Sequence, residues 1–587
     1  DFRRYLPREV SLTEDQHEAA LDRFFRYYAP WGQRTHPILF REDMALALSS
    51  ETPIKTPHYS PMLHNAILAI GLCYCDEPHL RTPALRKVFV TEAKKHLETE
   101  GMNPSVATVQ ALAHLASGHS VDAEHNLGWL YIGMALRCAL ALGLNMDNTP
   151  MLKNGKITEV QARERNVTYW TAFIQEGLWA PYIGRPVYVP DCTTPAPTVD
   201  EQLDNLIWIP HDIPGRVVEL SLKPQPSMVS STFVETVKLM EIGARIMNTL
   251  YGIKTDIATL TRSGVISEIS LALSTWLEKL PPTLVLNSHS AKHALPHILM
   301  MHLSWAWLVI LLHRPFYRPF AGLPGKDTKS PNSAGYNAAL AHCDRAAIQI
   351  VALLQTWHRL HDLRFTPPTA LQCCFVAGTT HLLSFATSRT EKKKTDALNR
   401  AQDCIRLMSY MAVSWPAAQQ KQKFLEDLLV EYGMTAKTRS GGNTPTETAL
   451  RKEARVQPPV VVKIEPQTMP AMQQSSGPSA PMQMPTFHQQ QQDPPMMTNF
   501  NNMSQSSSYI DPILAVQHMS MSSNNPVNMF QPTPQQQQQP PQYSGGNVGQ
   551  SMNRYVDVAS LLMIERLTHG FSSQSIDAST QPAHVSR

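Results

Sequence analysis

Eight cysteines and 23 histidines are the residues of this 587-residue chain best suited to hold a metal or act as nucleophile and base. The cysteines are Cys73, Cys75, Cys138, Cys192, Cys343, Cys373, Cys374 and Cys404. Structural zinc sites favour paired C-x2-C ligands, and none of these cysteines makes such a pair. Most sit in apolar, helix-like contexts, which predicts free buried thiols in a reducing compartment. Gly118-His119-Ser120-Val121-Asp122 sets a serine beside a histidine but lacks the closing glycine of a nucleophile elbow. Gly325-Lys326 lacks P-loop spacing and the hydroxyl residue after the lysine. H-E-x-x-H and an Asp-rich magnesium motif are absent from the sequence. His358 and His361 are close, yet no acid or cysteine completes a ligand set around them. No catalytic, cofactor-binding or metal residue is therefore assigned. An enzyme with a pocket between the helices of 60–190 stays as an alternative, short of convergent titratable groups.

Two kinds of cationic residue remain. Val462-Lys463-Ile464-Glu465 fits the ψ-K-x-E pattern for attachment of the small ubiquitin-like modifier, which makes Lys463 a candidate modification site. Lys392-Lys393-Lys394 and the scattered Lys437, Arg439, Arg451, Lys452 and Arg455 offer short nuclear-import-like clusters, with a solvated loop as the default reading. The net charge of +3 excludes a strongly basic nucleic-acid binder in bulk.

The elements that must position these residues read as helices. Residues 127–145 form an apolar stretch with one charge, Arg137. Leu127, Tyr131, Met134, Cys138 and Ala141 share a face, and the other face is also apolar, which predicts a helix buried on all sides. Arg137 would then be a buried pin needing Glu164 or Glu176 as partner. Gly128 and Gly133 would let a neighbour helix come close, and Gly143 would end the helix in a left-handed cap. Thr158 opens the next helix with a capping box to Gln161, and Val160, Val167, Trp170 and Ile174 line it. Gly184-Arg185-Pro186 then reads as a turn, with an anion or metabolite contact by Arg185 as the functional alternative.

Residues 1–435 are helical in pattern throughout. Thr13 caps a helix with Gln16, and Ser60-Pro61, Thr82-Pro83 and Asn103-Pro104 open three more. The close spacing of these starts implies antiparallel neighbours. Later helices are expected at 266–280, 297–313, 333–359, 368–386, 396–412 and 415–431. The most apolar run, Leu303 to Leu312, is about half a membrane span and reads as a core helix, so no membrane partner is expected. Residues 436–587 are rich in Gln, Pro, Met and Ser and poor in aliphatic side chains, so they are expected to be a disordered tail. Within it, Val556 through Phe571 carries Val558, Leu561, Leu562, Glu565 and Leu567, enough for a brief amphipathic helix on a partner. The fold class is thus all-α, a multi-helix domain of antiparallel helices followed by a low-complexity tail.

The order Gly133-Met134-Ala135-Leu136-Arg137, Leu142-Gly143-Leu144, Arg163 and Arg165 before Trp170, then Gly184-Arg185-Pro186 resembles the regulatory domain of fungal zinc-cluster transcription factors. That domain is also called the middle homology region or xylanolytic-activator regulatory domain. Leu312-His313-Arg314-Pro315-Phe316 and Ala346-Ala347 resemble its later part. The resemblance covers roughly 15–430 and is strongest at 60–190. It implies a fungal regulator of RNA polymerase II genes, located in the nucleus. Promoter DNA would be bound through an N-terminal binuclear zinc cluster that these residues do not contain, so zinc is implied only for that cluster. The tail would serve as the activation region and bind coactivators. A small-molecule effector and a homodimer are further expected partners. Gly133, Arg137, Trp170, Gly184, Arg185 and Pro186 are the motif positions it marks, mostly for architecture. The chain begins without Met, which suggests a piece of a longer product. The alternative is a helical scaffold or coregulator that does not contact DNA itself.

Overall fold

Helix starts in this chain are written in short polar side chains. Ser60, Thr82 and Ser105 each hold extended backbone and accept an N–H from the residue three further on, from Leu63 at 3.1 Å, Leu85 at 3.3 Å and Thr108 at 3.4 Å. Each satisfies one of the donors that a helix leaves unpaired in its first turn. Thr13 does the same for Gln16, whose side chain accepts from the Thr13 N–H in return.

The computed structural model describes residues 1–431 except 33–34, 53, 184–186, 189, 212–221, 253–256 and 317–332. In chain order its first helices are α1 (Glu14–Arg23), α2 (Pro37–Ser49), α3 (Pro61–Gly71), α4 (Pro83–Lys95), α5 (Leu97–Met102) and α6 (Val106–Val121). There follow α7 (His125–Ala141), α8 (Thr149–Lys153), α9 (Glu159–Ile183), α10 (Glu201–Asp204), α11 (Val229–Leu250) and α12 (Ile257–Ser263). The last are α13 (Val265–Glu278), α14 (Pro296–His313), α15 (Ser333–His361), α16 (Pro368–Thr387), α17 (Glu391–Met411) and α18 (Ala417–Glu431). The strands among the described residues are one antiparallel pair, Ile207–Trp208 with Gln225–Pro226. The fold is all-α, as the sequence predicts. The expected tail of 436–587, with Lys463, lies outside the described residues, as do Gly184, Arg185 and Pro186.

Neighbours in sequence pack as neighbours in space. The helix α3 lies on α4 and α6, α6 on α7, α7 on α9, α14 on α15 and α16, and α17 on α16 and α18. Every residue of α14 is buried, so its apolar run is core. Pro296–Phe316 and Pro368–Thr387 are long and apolar enough to cross a bilayer, but the fold itself encloses most of their surface.

Two expected helix starts move. Asn103-Pro104 does not open a helix; Ser105 does, because it can exchange hydrogen bonds with Thr108 in a capping arrangement. Lys392-Lys393-Lys394 is not a loop but the first turn of α17, where Lys394 Nζ donates to Glu391 at 2.9 Å.

Candidate functional site

Gly143 takes φ +63°, and the Leu144 N–H reaches back to the Ala139 carbonyl at 2.9 Å. This left-handed cap ends α7 as its sequence requires and turns the chain toward α9. Thr158 then starts α9: its N–H donates to the Gln161 side chain at 2.9 Å, and the Gln161 N–H donates to its hydroxyl at 3.2 Å. The two arginines before Trp170 each hold a neighbour. Arg165 Nη2 donates to the Leu142 carbonyl at 2.7 Å, at the C-terminal end of α7 where a cation is favoured. Arg163 pairs with Asp200. Trp170 is buried against Tyr169 and Phe173, and its indole N–H donates to the Pro195 carbonyl at 2.8 Å. Asn166 binds the same carbonyl at 2.7 Å, so α9 pins the Pro-rich loop from two positions.

The helix α7 departs from its expected burial. It buries His125, Gly128, Tyr131, Ile132, Ala135, Leu136 and Ala139, while Leu127, Leu130 and Met134 are 36%, 59% and 38% exposed. The face predicted from Leu127, Tyr131, Met134, Cys138 and Ala141 is largely its outer face, with Tyr131 buried at its edge, and the helix is not enclosed on all sides. The reason is size. A Cβ on Gly128 would meet the Trp179 ring at 2.4 Å and the Ala116 carbonyl at 2.8 Å, so Gly128 faces inward and lets the backbones approach there. Gly133 serves no such approach, since its Cβ would meet nothing within 4 Å.

Arg137 is exposed rather than buried, and Glu164 and Glu176 are not its partners. Its guanidinium lies 5.5 Å from the ring centre of Tyr188. The Glu176 side chain instead accepts the Tyr188 N–H at 3.3 Å. Burial pushes the Glu164 carboxyl up to about 7, against the pull of Arg163 and with the help of Asp200. Burial also raises Glu176, with the Tyr188 N–H opposing it.

Ser120 sits near the end of α6 with its hydroxyl 3.5 Å from His125 Nδ1. Glu124 goes to His119 at 2.6 Å, and His119 stacks on Tyr131. Among the described residues no group of three or more His, Cys, Asp or Glu is placed to hold a metal ion. The eight cysteines, all among the described residues, are not brought together as a binuclear zinc cluster requires.

Sequence reasoning missed a polar hub. Asp76 accepts from Arg23 and from Arg364 at 2.8 Å, with His211 at 3.4 Å. Arg81 donates to the carbonyls of Cys75 at 2.8 Å and Asp76 at 2.7 Å. Burial alone would raise the Asp76 carboxyl, but the hydrogen bond from Arg364 and the charges of Arg23, Arg364 and His211 hold it below its ordinary value. These groups come from segments up to 341 residues apart (Arg23 and Arg364), and no local spacing in the sequence announces them.

Residues 21–278 match the family model described as the fungal specific transcription factor domain. Over 445 residues the chain is 24% identical to the nitrogen assimilation transcription factor nirA of Emericella nidulans, covering 73% of this chain and 46% of that protein. It is 25% identical over 409 residues to the nitrogen assimilation transcription factor nit-4 of Neurospora crassa, covering 68% and 35%. An uncharacterized transcriptional regulatory protein of Schizosaccharomyces pombe is 25% identical over 320 residues, covering 53% and 49%. The chain spans about half or less of the length of these curated relatives. No solved structure matches it.

Proposed function

We propose, from the match of residues 21–278 to the fungal specific transcription factor domain, that this chain is the regulatory body and activation tail of a nuclear transcription regulator. The observation that supports this is where the match falls. It covers the helices from the end of α1 through α13, including the α7–α9 unit with its Gly143 cap and Trp170. In this reading the helical body carries no catalytic constellation. It restrains or presents the segment 436–587, whose scattered apolar residues contact coactivators through weak, adaptable contacts. Promoter DNA would be reached through a zinc cluster on residues other than these. A metabolite or corepressor would shift the body between restraining and presenting states, each by its differential affinity for them. Trp170, Gly184, Arg185 and Pro186 would act mainly through architecture, Gly133 and Arg137 through the outer face of α7 rather than the core, and Lys463 would take the modifier.

Fusing residues 436–587 to a foreign DNA-binding domain tests this. Reporter activation well above the DNA-binding domain alone is the expected result. A silent fusion would overturn the activation-tail reading. It would favour a second one, a helical interaction scaffold, for which the exposed apolar row on α7 is the specific support.

A further inference from the structure

The outer face of α7 presents Leu127, Leu130, Met134, Arg137 and Ala141 to solvent, in steps of three, four, three and four residues. This is the spacing of a helix seam that receives a second helix. Gly133 lies beside the row with open space above it, so a partner backbone can come near. Cations flank the face: Arg137 within it, and Lys94, whose ammonium lies 5.4 Å from the Tyr131 ring centre, at its edge. A partner helix should therefore bring apolar residues in the same rhythm and carry acids. Single exposed apolar residues are ordinary, but Leu127, Leu130 and Met134 stand in one row on one helix face, and such a row marks an interaction surface.

We propose that the segment Val556–Phe571 of the same chain docks on this face as an antiparallel helix, and so withholds itself from coactivators. The inference rests on the activation-tail reading above for its consequence, though not for the contact. The segment offers Asp557, Leu561, Ile564, Thr568 and Phe571 in steps of four, three, four and three, the reverse of the α7 row. Run antiparallel, the two rows stay in step. Phe571 meets Leu127, Ile564 meets Met134, and Leu561 crosses the aliphatic stem of Arg137, with Asp557 and Glu565 one turn to either side of the guanidinium. The tether permits it. Residues 432–555 intervene, and a coil of that length spans roughly 60 Å, against a radius of gyration of roughly 22 Å for a domain of the size of the helical body. Tethering keeps the effective concentration high, so a helix too short to persist alone can be held by a modest interface.

Amide hydrogen exchange on the purified full chain tests the contact without any transcriptional readout. Amides of 556–571 should exchange at least tenfold more slowly than the same sequence as a free peptide. The Leu130→Glu/Met134→Glu double variant should bring them to the free-peptide rate, while its far-UV spectrum stays unchanged because both positions face solvent. Arg137→Glu should weaken protection, and adding Asp557→Arg and Glu565→Arg should restore it. Free-peptide exchange in the wild-type chain overturns the proposal. So does protection that survives the double variant, or protection that rises with protein concentration, which would point to a second copy as the occupant. A tail that activates in the fusion yet exchanges freely sinks the docking alone; a protected tail that fails to activate sinks the activation reading alone.

Discussion

Gly128 and Gly133 lie five positions apart on one helix and make opposite predictions. Gly128→Ala drives a methyl into the Trp179 ring and the Ala116 carbonyl, which cannot both yield. Overpacking of this kind costs about 1–3 kcal/mol, and the urea midpoint should fall accordingly. Gly133→Ala meets open space, so only helix propensity changes, and stability should rise by about 0.5–1 kcal/mol. Equal effects at the two positions would mean that α7 is not packed by its small side. Arg137 was legible as unusual but not as exposed. Hydrophobicity does not say which face of an all-apolar helix turns inward; the close approach that Gly128 permits, continued by Ala135 and Ala139, does. An exposed arginine over one tyrosine ring contributes little, so Arg137→Ala should change stability by less than about 0.5 kcal/mol in chemical denaturation.

At the scale of elements, local chemistry was the readable part. Thr13, Ser60, Thr82 and Thr158 cap helices where their side chains predict, because a cap needs only residues within one turn of it. The start near 103 was misplaced because Asn103-Pro104 offers the same pattern as Ser105, and only the reciprocal bond to Thr108 separates them. The left-handed cap at Gly143 sets the angle at which α7 leads toward α9, and it also places the Leu142 carbonyl for Arg165. Gly143→Ala should therefore cost about 1 kcal/mol from backbone strain alone. Arg165→Ala should loosen the same corner, and the two losses should be less than additive because they share the Leu142–Leu144 turn. A double-mutant cycle by thermal unfolding measures this, and full additivity would separate the cap from the arginine.

Long-range polar contacts hold the helical body as one unit, and these are the part that a linear reading misses. Asp76 takes charge from Arg23 of α1 and from Arg364 after α15, while Ser414 donates to the carbonyls of Cys73 at 2.9 Å and Arg364 at 2.8 Å. Asp76→Asn leaves two largely buried guanidiniums facing each other. The loss should be about 1–3 kcal/mol, less than for a fully buried pair because the carboxylate is partly open to water. Protonation acts on the whole body at once. Six buried imidazoles, His64, His125, His297, His302, His313 and His381, are pushed below their ordinary value chiefly by burial, His125, His313 and His381 to about 3 and His297 and His302 to about 4. An unfolded chain protonates them near pH 6.5 whereas the folded chain does not, so the unfolded state binds more protons and stability falls as pH drops below that value. Each such group contributes on the order of 1 kcal/mol per pH unit in this window. Four carboxyls raised by burial, Glu100, Glu164, Glu176 and Glu241, act in the opposite sense. The folded state keeps their protons to higher pH, so each destabilises the fold as pH climbs from the ordinary carboxyl range to its folded value, about 7 for Glu164. The imidazoles outnumber them and most are shifted further, so the balance favours acid lability. Stability extrapolated from urea should be lower by several kcal/mol at pH 5.5 than at pH 7.5. Glu164→Gln removes one opposing group: it should raise stability at both pH values, more at pH 7.5 than at pH 5.5, and so make the fall between them steeper. A wild-type stability that is flat across this window would show that the six imidazoles are not held neutral inside the helical body.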